Sequence, residues 1–281
     1  MSIPDYLQGA IDIHVHSSPD VDRRRFDDIE LAREASRAGM AAVLIKSHQN
    51  STVERACLVS KVVPEIRVFG GLVLNQTVGG LNPAAVQLAL KMGARQIWMP
   101  TRDALNHRRH FHQPGGISVF DQNGELSAAV NEILSAIARS ECILGTGHLS
   151  QEETFALVKR ANQMGVRRIV ITHPEWGPTF YSCAMQRQLA SYPAVMFERC
   201  FVSTTHLCGF VPFATIEEAI GDVGVERTVL STDLGQPDTP PPVEGLRLYT
   251  ERLRASGFSP SDIHQMTHVN PAKLLSLETD R

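Results

Sequence analysis

The chain has 281 residues, 43% of them apolar, and a net charge of −3 with both signs interspersed; it is long enough for one large core of the size of a single α/β barrel, and its charge balance argues against nucleic acid or a membrane surface as the main partner. The five cysteines, Cys57, Cys142, Cys183, Cys200 and Cys208, are odd in number and form no Cys-x-x-Cys, which fits free thiols in a reducing compartment. Residues 1–10 lack a basic-then-apolar leader pattern and no apolar run approaches the roughly 20 residues needed to span a bilayer, so the expectation is a soluble, cytoplasmic, enzyme-sized chain.

The first segment with a clear period is Ile11-Asp12-Ile13-His14-Val15-His16. Its apolar and polar residues alternate as in a strand, which puts both imidazoles on one face. Two neutral imidazoles one strand period apart can bind one cation together. The turn-like Ser17-Ser18-Pro19-Asp20 follows, so residues 11–18 read as a first strand with two metal ligands at its C-terminal end. Further Val- and Ile-rich strands are expected at residues 41–48, 67–75, 95–101, 142–150, 167–175, 194–200 and 227–234. Helical patterns lie between them. Ser51-x-x-Glu54, Ser150-x-x-Glu153 and Thr215-x-x-Glu218 have the form of capping boxes. Asn82-Pro83 and Asn270-Pro271 place a cap residue before a first-turn proline, and Gly39, Gly93 and Gly165 close helices ahead of the next strand. Strand–helix alternation repeated eight times predicts a (β/α)8 TIM-type barrel.

One connection is long. Residues 102–140 carry Asn106-His107-Arg108-Arg109-His110-Phe111-His112, then a small hairpin with an Asn123-Gly124 turn, before a helix beginning near Ser127. This insertion follows strand four and should sit over the C-terminal mouth of the barrel. The Pro-rich stretch 236–243 is a second mouth loop, and residues 174–181, with Trp176, a third. No linker or repeat interrupts the pattern, so residues 1–281 read as a single domain.

Barrel sites lie where strands end at the C-terminal face. Strand two ends in Lys46-Ser47-His48, strand five in Gly147-His148, strand six in Thr172-His173 and strand eight in Thr232-Asp233. One such histidine is ordinarily a satisfied, partly buried imidazole. Several metal-type residues at the same end of different strands are hard to obtain from packing needs alone.

This pattern resembles the amidohydrolase superfamily of metal-dependent barrels: His-x-His on strand one, His on strands five and six, and Asp on strand eight. The ending Thr267-His268-Val269-Asn270-Pro271-Ala272-Lys273-Leu274 is similar to the Asn-Pro-Ala helix with which many members close. The resemblance implies a site of His14, His16, His148, His173 and Asp233 around one or two divalent ions, zinc first, with manganese or iron as alternatives. Many two-metal members bridge their ions with a carboxylated Lys or a Glu from strand four, and residues 95–101 offer neither. Lys46 is then a displaced bridging ligand, an ammonium that holds a substrate carboxylate or polarises a carbonyl, or a structural lysine paired with Glu198. Glu198 and Arg199 are adjacent, and only one can face the barrel interior. His48, Arg102 and Glu198 are candidate substrate-binding residues. Arg102, Arg108 and Arg109 either gather an anion or form a solvated loop, and His107, His110 and His112 form a local cluster too loop-like for good coordination.

The function implied is a metal-dependent hydrolase that cleaves a C–N or C–O bond of a small, optionally carboxylated molecule such as a cyclic amide, lactone or ester. Asp233 would act as base and acid, and Lys46 or His173 would stabilise the oxyanion. The alternatives are a decarboxylase or hydratase of a small unsaturated or aromatic acid, a nuclease, and a non-catalytic metal-binding barrel. The expected partner is a small-molecule substrate, with a homo-oligomer suggested by analogy.

Overall fold

A computed structural model describes residues 6–277; Met1–Asp5, part of the segment read for a leader, and the last four residues of the expected domain lie outside the described residues. Eight parallel strands follow one another around a barrel in chain order. They are β1 (Ile11–Val15), β2 (Ala42–Ile45), β3 (Arg67–Val73), β4 (Gln96–Trp98), β5 (Ile143–Gly145), β6 (Ile169–Thr172), β7 (Val195–Cys200) and β8 (Thr228–Ser231). Each falls inside or against an expected segment. Most are shorter at the C-terminal end, because there the chain leaves the ladder to present site residues. Two backbone bonds close the ring: Asp233 N–H donates to His14 O (2.7 Å) and His16 N–H to Leu234 O (2.8 Å).

The outer layer runs α1 (Asp28–Arg37), α2 (Val53–Val62), α3 (Pro83–Lys91), α4 (Leu105–His110), α5 (Ala128–Ala138), α6 (Gln151–Gln163), α7 (Cys183–Ala190), α8 (Phe213–Val223), α9 (Pro242–Ala255), α10 (Pro260–His264) and α11 (Asn270–Leu275). The box Ser150-x-x-Glu153 caps α6 as expected, and Asn82 caps α3. Two other boxes do not form: α2 takes Thr52 as its N-cap, and Thr215 lies inside α8, which starts after Pro212. Asn270 is not a cap either, although it is the first residue of α11. It continues a π-turn from α10, and its Nδ2 donates to Val225 O and Thr228 O, pinning α11 beneath the start of β8. In the insertion, Phe120 pairs antiparallel with Leu126, as the Asn-Gly turn suggests. Glu153 Oε1 accepts from Ser118 Oγ (2.7 Å) and Val119 N–H (3.1 Å), which ties this hairpin to α6.

The barrel interior is filled by Ile11, Ile13, Ala42, Leu44, Val73, Trp98, Ile143, Val170, Met196 and Val229, with Ala272, Leu274 and Leu275 of α11 packed onto them. Val15 belongs instead to the layer under the outer helices. The uniform alternation read from the sequence is therefore broken by an irregularity between Asp12 and Val15. The buried Asp12 carboxyl lies at this irregularity and accepts from His14 N–H (3.0 Å) and Thr232 N–H (3.2 Å).

Trp98 is the largest fully buried side chain, and it lies 5.9 Å from the His14 ring, centroid to centroid. Glycines flank it on both neighbouring strands: a Cβ at Gly71 would come within 2.7 Å of Trp98 Cζ3, and one at Gly145 within 2.6 Å of Cδ1. Gly145→Ala is expected to destabilise the protein by about 1–3 kcal/mol through overpacking, to be read from denaturant unfolding. An unchanged midpoint would mean that the indole is free to shift.

Candidate metal centre

The residues read as metal ligands meet at the C-terminal end of the barrel. His14 and His16 lie at the end of β1, and despite the broken alternation both reach Asp233, which follows β8. Asp233 Oδ1 is 3.0 Å from His14 Nε2 and 2.9 Å from His16 Nε2. Lys46, just past β2, brings Nζ within 2.8 Å of His14 Nε2. His148 and His173 extend the cluster: their ring centroids are 5.0 Å apart, and His173 is 6.3 Å from His14. His48 stacks on His16 at 5.0 Å, with its Nδ1 2.9 Å from Thr101 Oγ1.

Several supporting contacts decide which nitrogen each ring presents. Glu198 Oε2 lies 3.2 Å from His14 Nδ1. A carboxylate there accepts that N–H, so His14 offers Nε2 to the centre. The Thr179 hydroxyl donates to His173 O (2.9 Å), so its oxygen accepts the N–H of His173 Nδ1 (3.0 Å) and Nε2 is again the free lone pair. Gly147, at φ +60°, lets the chain turn so tightly that a Cβ would lie 2.3 Å from Met99 O. The turn lets His148 N–H donate to Pro100 O (2.9 Å). Two of the presented residues, His173 (φ +30°) and Asp233 (φ +51°), hold left-handed backbone that non-glycine residues adopt only under strain.

Burial drives His16, His48, His148 and His173 toward the neutral form, His173 to about 3. Burial acts the same way on His14, but the Asp233 and Glu198 carboxylates outweigh it and lift that ring to about 9. Burial would raise Asp233, yet His14, His16 and Lys46 hold its carboxyl well below the usual range. Lys46 is lowered by burial, opposed by Asp233 and Glu198. Neutral imidazoles at His16, His148 and His173 beside an ionised Asp233 are the protonation states that metal ligands need, and His14 joins them when its proton is displaced, so this donor set fits a divalent cation. Cys200 Sγ also lies near His14 and Asp233, but it stands on the Nδ1 side of His14, 3.8 Å away, and burial pushes its thiol well up. The converging nitrogens and oxygen are on the Nε2 side.

Some readings change. Glu198 is fully buried and holds His14 from below, so it does not line the substrate pocket. It is the inward member of its pair; Arg199 faces outward, where it pairs with Glu175 and donates to Ala219 O (3.0 Å). No hydrogen bond joins Lys46 to Glu198 among the described residues. The histidine cluster of the insertion divides: His110 and His112 are exposed, whereas His107 is buried and its Nδ1 meets His148 Nδ1 at 2.9 Å. A helix, α4, carries it there, so the objection that a loop holds ligands poorly does not apply to it. Among the arginines, Arg102 lines the pocket, while Arg108 is bound to Asp103. Thr179 was not singled out, since a lone threonine in a loop carries no signal. The mouth opens into a cavity of about 420 Å³ whose walls include His48, Trp176, Val202 and Gln236.

The fold defined here is a (β/α)8 barrel with its candidate site at the C-terminal mouth. It is similar to the organophosphorus hydrolase from Deinococcus radiodurans (TM-score 0.61, 16% identity, covering 97% of this chain and 94% of that one). It is also similar to an amidohydrolase from Pseudomonas aeruginosa (TM-score 0.65, 11% identity, 96% of each chain). A third likeness is to the probable dipeptidase PvdM from Pseudomonas aeruginosa (TM-score 0.65, 10% identity, 95% and 94%). At these identities the likeness is one of fold. The chain itself belongs to DUF6282, a family of unknown function whose model matches residues 9–198. No curated protein matches the sequence. Among the described residues no helix is long and apolar enough to cross a membrane.

A cation bound at His14 Nε2 must displace the proton that this ring holds up to about pH 9. Metal affinity is therefore expected to rise about tenfold per pH unit from pH 6 to 8, with about one proton released per ion. Competition titrations in two buffers of different ionisation enthalpy measure both. A pH-independent affinity would place the ion elsewhere.

Proposed function

We propose that the protein is a metal-dependent hydrolase that uses an activated water to cleave a C–N or C–O bond of a small molecule, such as a cyclic amide, lactone or ester. The observation that carries this reading is the meeting of His14 Nε2, His16 Nε2 and Asp233 Oδ1 within about 3 Å, at the foot of an open pocket. His14, His16 and Asp233 would hold one divalent ion. His148 and His173, with Lys46, are placed for a second or for substrate. Zinc leads as the ion, with manganese or iron as alternatives. Such an ion supplies Lewis acidity and lowers the pKa of a water from 15.7 to about 7.

The chain's own groups supply the rest. Asp233, ionised and only partly exposed, takes the proton of the attacking water and returns it to the leaving nitrogen or oxygen. Glu198 and Thr179 keep His14 and His173 in the tautomers that face inward. Lys46 would supply positive charge to a developing oxyanion, while His173, whose Nε2 is a lone pair, is suited to hold an ion rather than to donate. Trp176, standing over His148 and His173 at 5.0 and 5.1 Å, screens that floor from water.

A decarboxylase or hydratase of a small unsaturated or aromatic acid is the second reading. It is favoured by β4, whose Gln96-Ile97-Trp98 supplies no bridging ligand for a second ion; carbon dioxide release without water incorporation would identify a decarboxylase, and water addition without bond cleavage a hydratase.

Protein purified without added metal is expected to carry one or two equivalents by elemental analysis, lost in His14→Ala/His16→Ala. Asp233→Asn is expected to keep metal and lose turnover by about 10²–10⁴-fold. Metal-free wild-type protein that stays empty on reconstitution, or an active Asp233→Asn variant, would sink the mechanism.

A further inference from the structure

We infer that the pocket above the histidine cluster is built for a small, flat, unsaturated carboxylate, with its acid group on Arg102 and its ring against Trp176. This deepens the reading of the site as an enzyme centre and rests on it. Three observations point the same way.

The first is the distribution of charge. Apart from histidines, the full charges on the pocket lining are one base, Arg102, and one acid, Asp233. Asp233 is committed to His14 and His16 at the bottom, so the charged group on the lining that faces an incoming molecule at the rim is the Arg102 guanidinium. Arg102 follows β4 and is fixed there by a single bond from Nη1 to Asp22 Oδ2 (2.6 Å). Asp22 also meets Arg24 Nη2 at 3.3 Å, while Asp20 engages Arg24 at 3.1 Å. The guanidinium is thus positioned from one corner. Of its five N–H donors, the other four have no protein partner among the described residues. A planar carboxylate accepts two such donors side by side, which a lysine cannot reproduce.

The second is the wall. Trp176 stands edge-on to His173 (5.1 Å, 88°) and is flanked by His107 at 5.8 Å and Phe111 at 6.2 Å. The chain after β7 adds Val202, Leu207 and Cys208 to the lining. Aromatic side chains prefer another π-system in offset or edge contact, worth about 0.5–1.5 kcal/mol beyond its area. The third is size. A cavity of about 420 Å³ lies at the small end of the range for ligand sites, which suits one ring with a short acid arm rather than a peptide or nucleotide.

The test uses metal-loaded protein and three probes: benzoate, benzamide and acetate. Binding is followed by calorimetry and by tryptophan emission, for which Trp176 is the reporter, since the other tryptophan, Trp98, is sealed in the barrel. Benzoate is expected to bind at least tenfold more tightly than benzamide or acetate. Arg102→Gln should bring benzoate down to the benzamide level and leave benzamide unchanged, whereas Arg102→Lys should retain part of the preference. Trp176→Leu should weaken benzoate and benzamide together. Equal affinities for benzoate and benzamide, a benzoate preference that survives Arg102→Gln, or no binding of any probe would overturn the assignment. Metal content and melting temperature of each variant show that it is folded and loaded. Because the loss of turnover in Asp233→Asn is measured separately, the substrate assignment and the hydrolase reading can fail independently.

Discussion

Two backbone hydrogen bonds join the last strand to the first, from Asp233 to His14 and from His16 to Leu234, and the side chains of Asp233, His14 and His16 meet at 2.9–3.0 Å beside the seam. The seam is where the barrel depends on its own closure, because every other strand pair is adjacent in the chain. A ring that failed to close would separate Asp233 from both imidazoles. Folding and assembly of the centre are thus one event, and the chemistry is placed on the contact that joins the last strand to the first.

Around this seam the electrostatics divide by depth. Glu198 sits beneath His14 with no exposure, and Asp233 sits above it. These two carboxylates polarise the His14 ring from opposite nitrogens, while Lys46 approaches the same Nε2 as Asp233. The outer histidines, His48, His107 and His148, lie among like neighbours and are held neutral by burial first and by surrounding positive charge second. A centre with its negative charge at the bottom and an arginine at the rim presents a graded field to a small anion: attraction at entry, then a floor of neutral nitrogen donors.

What the sequence makes legible follows from locality. Strand–helix alternation, the Ser150–Glu153 box and the residues at strand ends are set by short-range periodicity and steric preference, so all eight strands and the gathering of His14, His16, His148, His173 and Asp233 at one end are readable. The failures have a common cause. The parity of β1 breaks beside Asp12, which meets Thr232 in a contact spanning 220 residues. Glu198 and Arg199 are chemically equivalent candidates until Glu175 and Gln186 claim the arginine from outside the barrel. His107 looks like one of three loop histidines until α4 turns it toward His148. Asn270-Pro271 has the form of a helix start, yet the π-turn before it means that the helix never stopped. In each case a polar side chain finds its partner across the fold, and local pattern carries no record of that.

The left-handed backbone at His173 and Asp233 has an evolutionary corollary. Glycine or asparagine relaxes such a backbone, but at Asp233 it would leave His14, His16 and Lys46 buried without their carboxylate, a larger cost than the strain it relieves. At His173 the balance differs, because that ring is held neutral and is tied through Thr179. A laboratory selection for heat resistance alone would then let position 173 drift toward glycine or asparagine while keeping Asp233. Retention of His173 is therefore a signature of selection for turnover, and it can be looked for wherever related chains are compared.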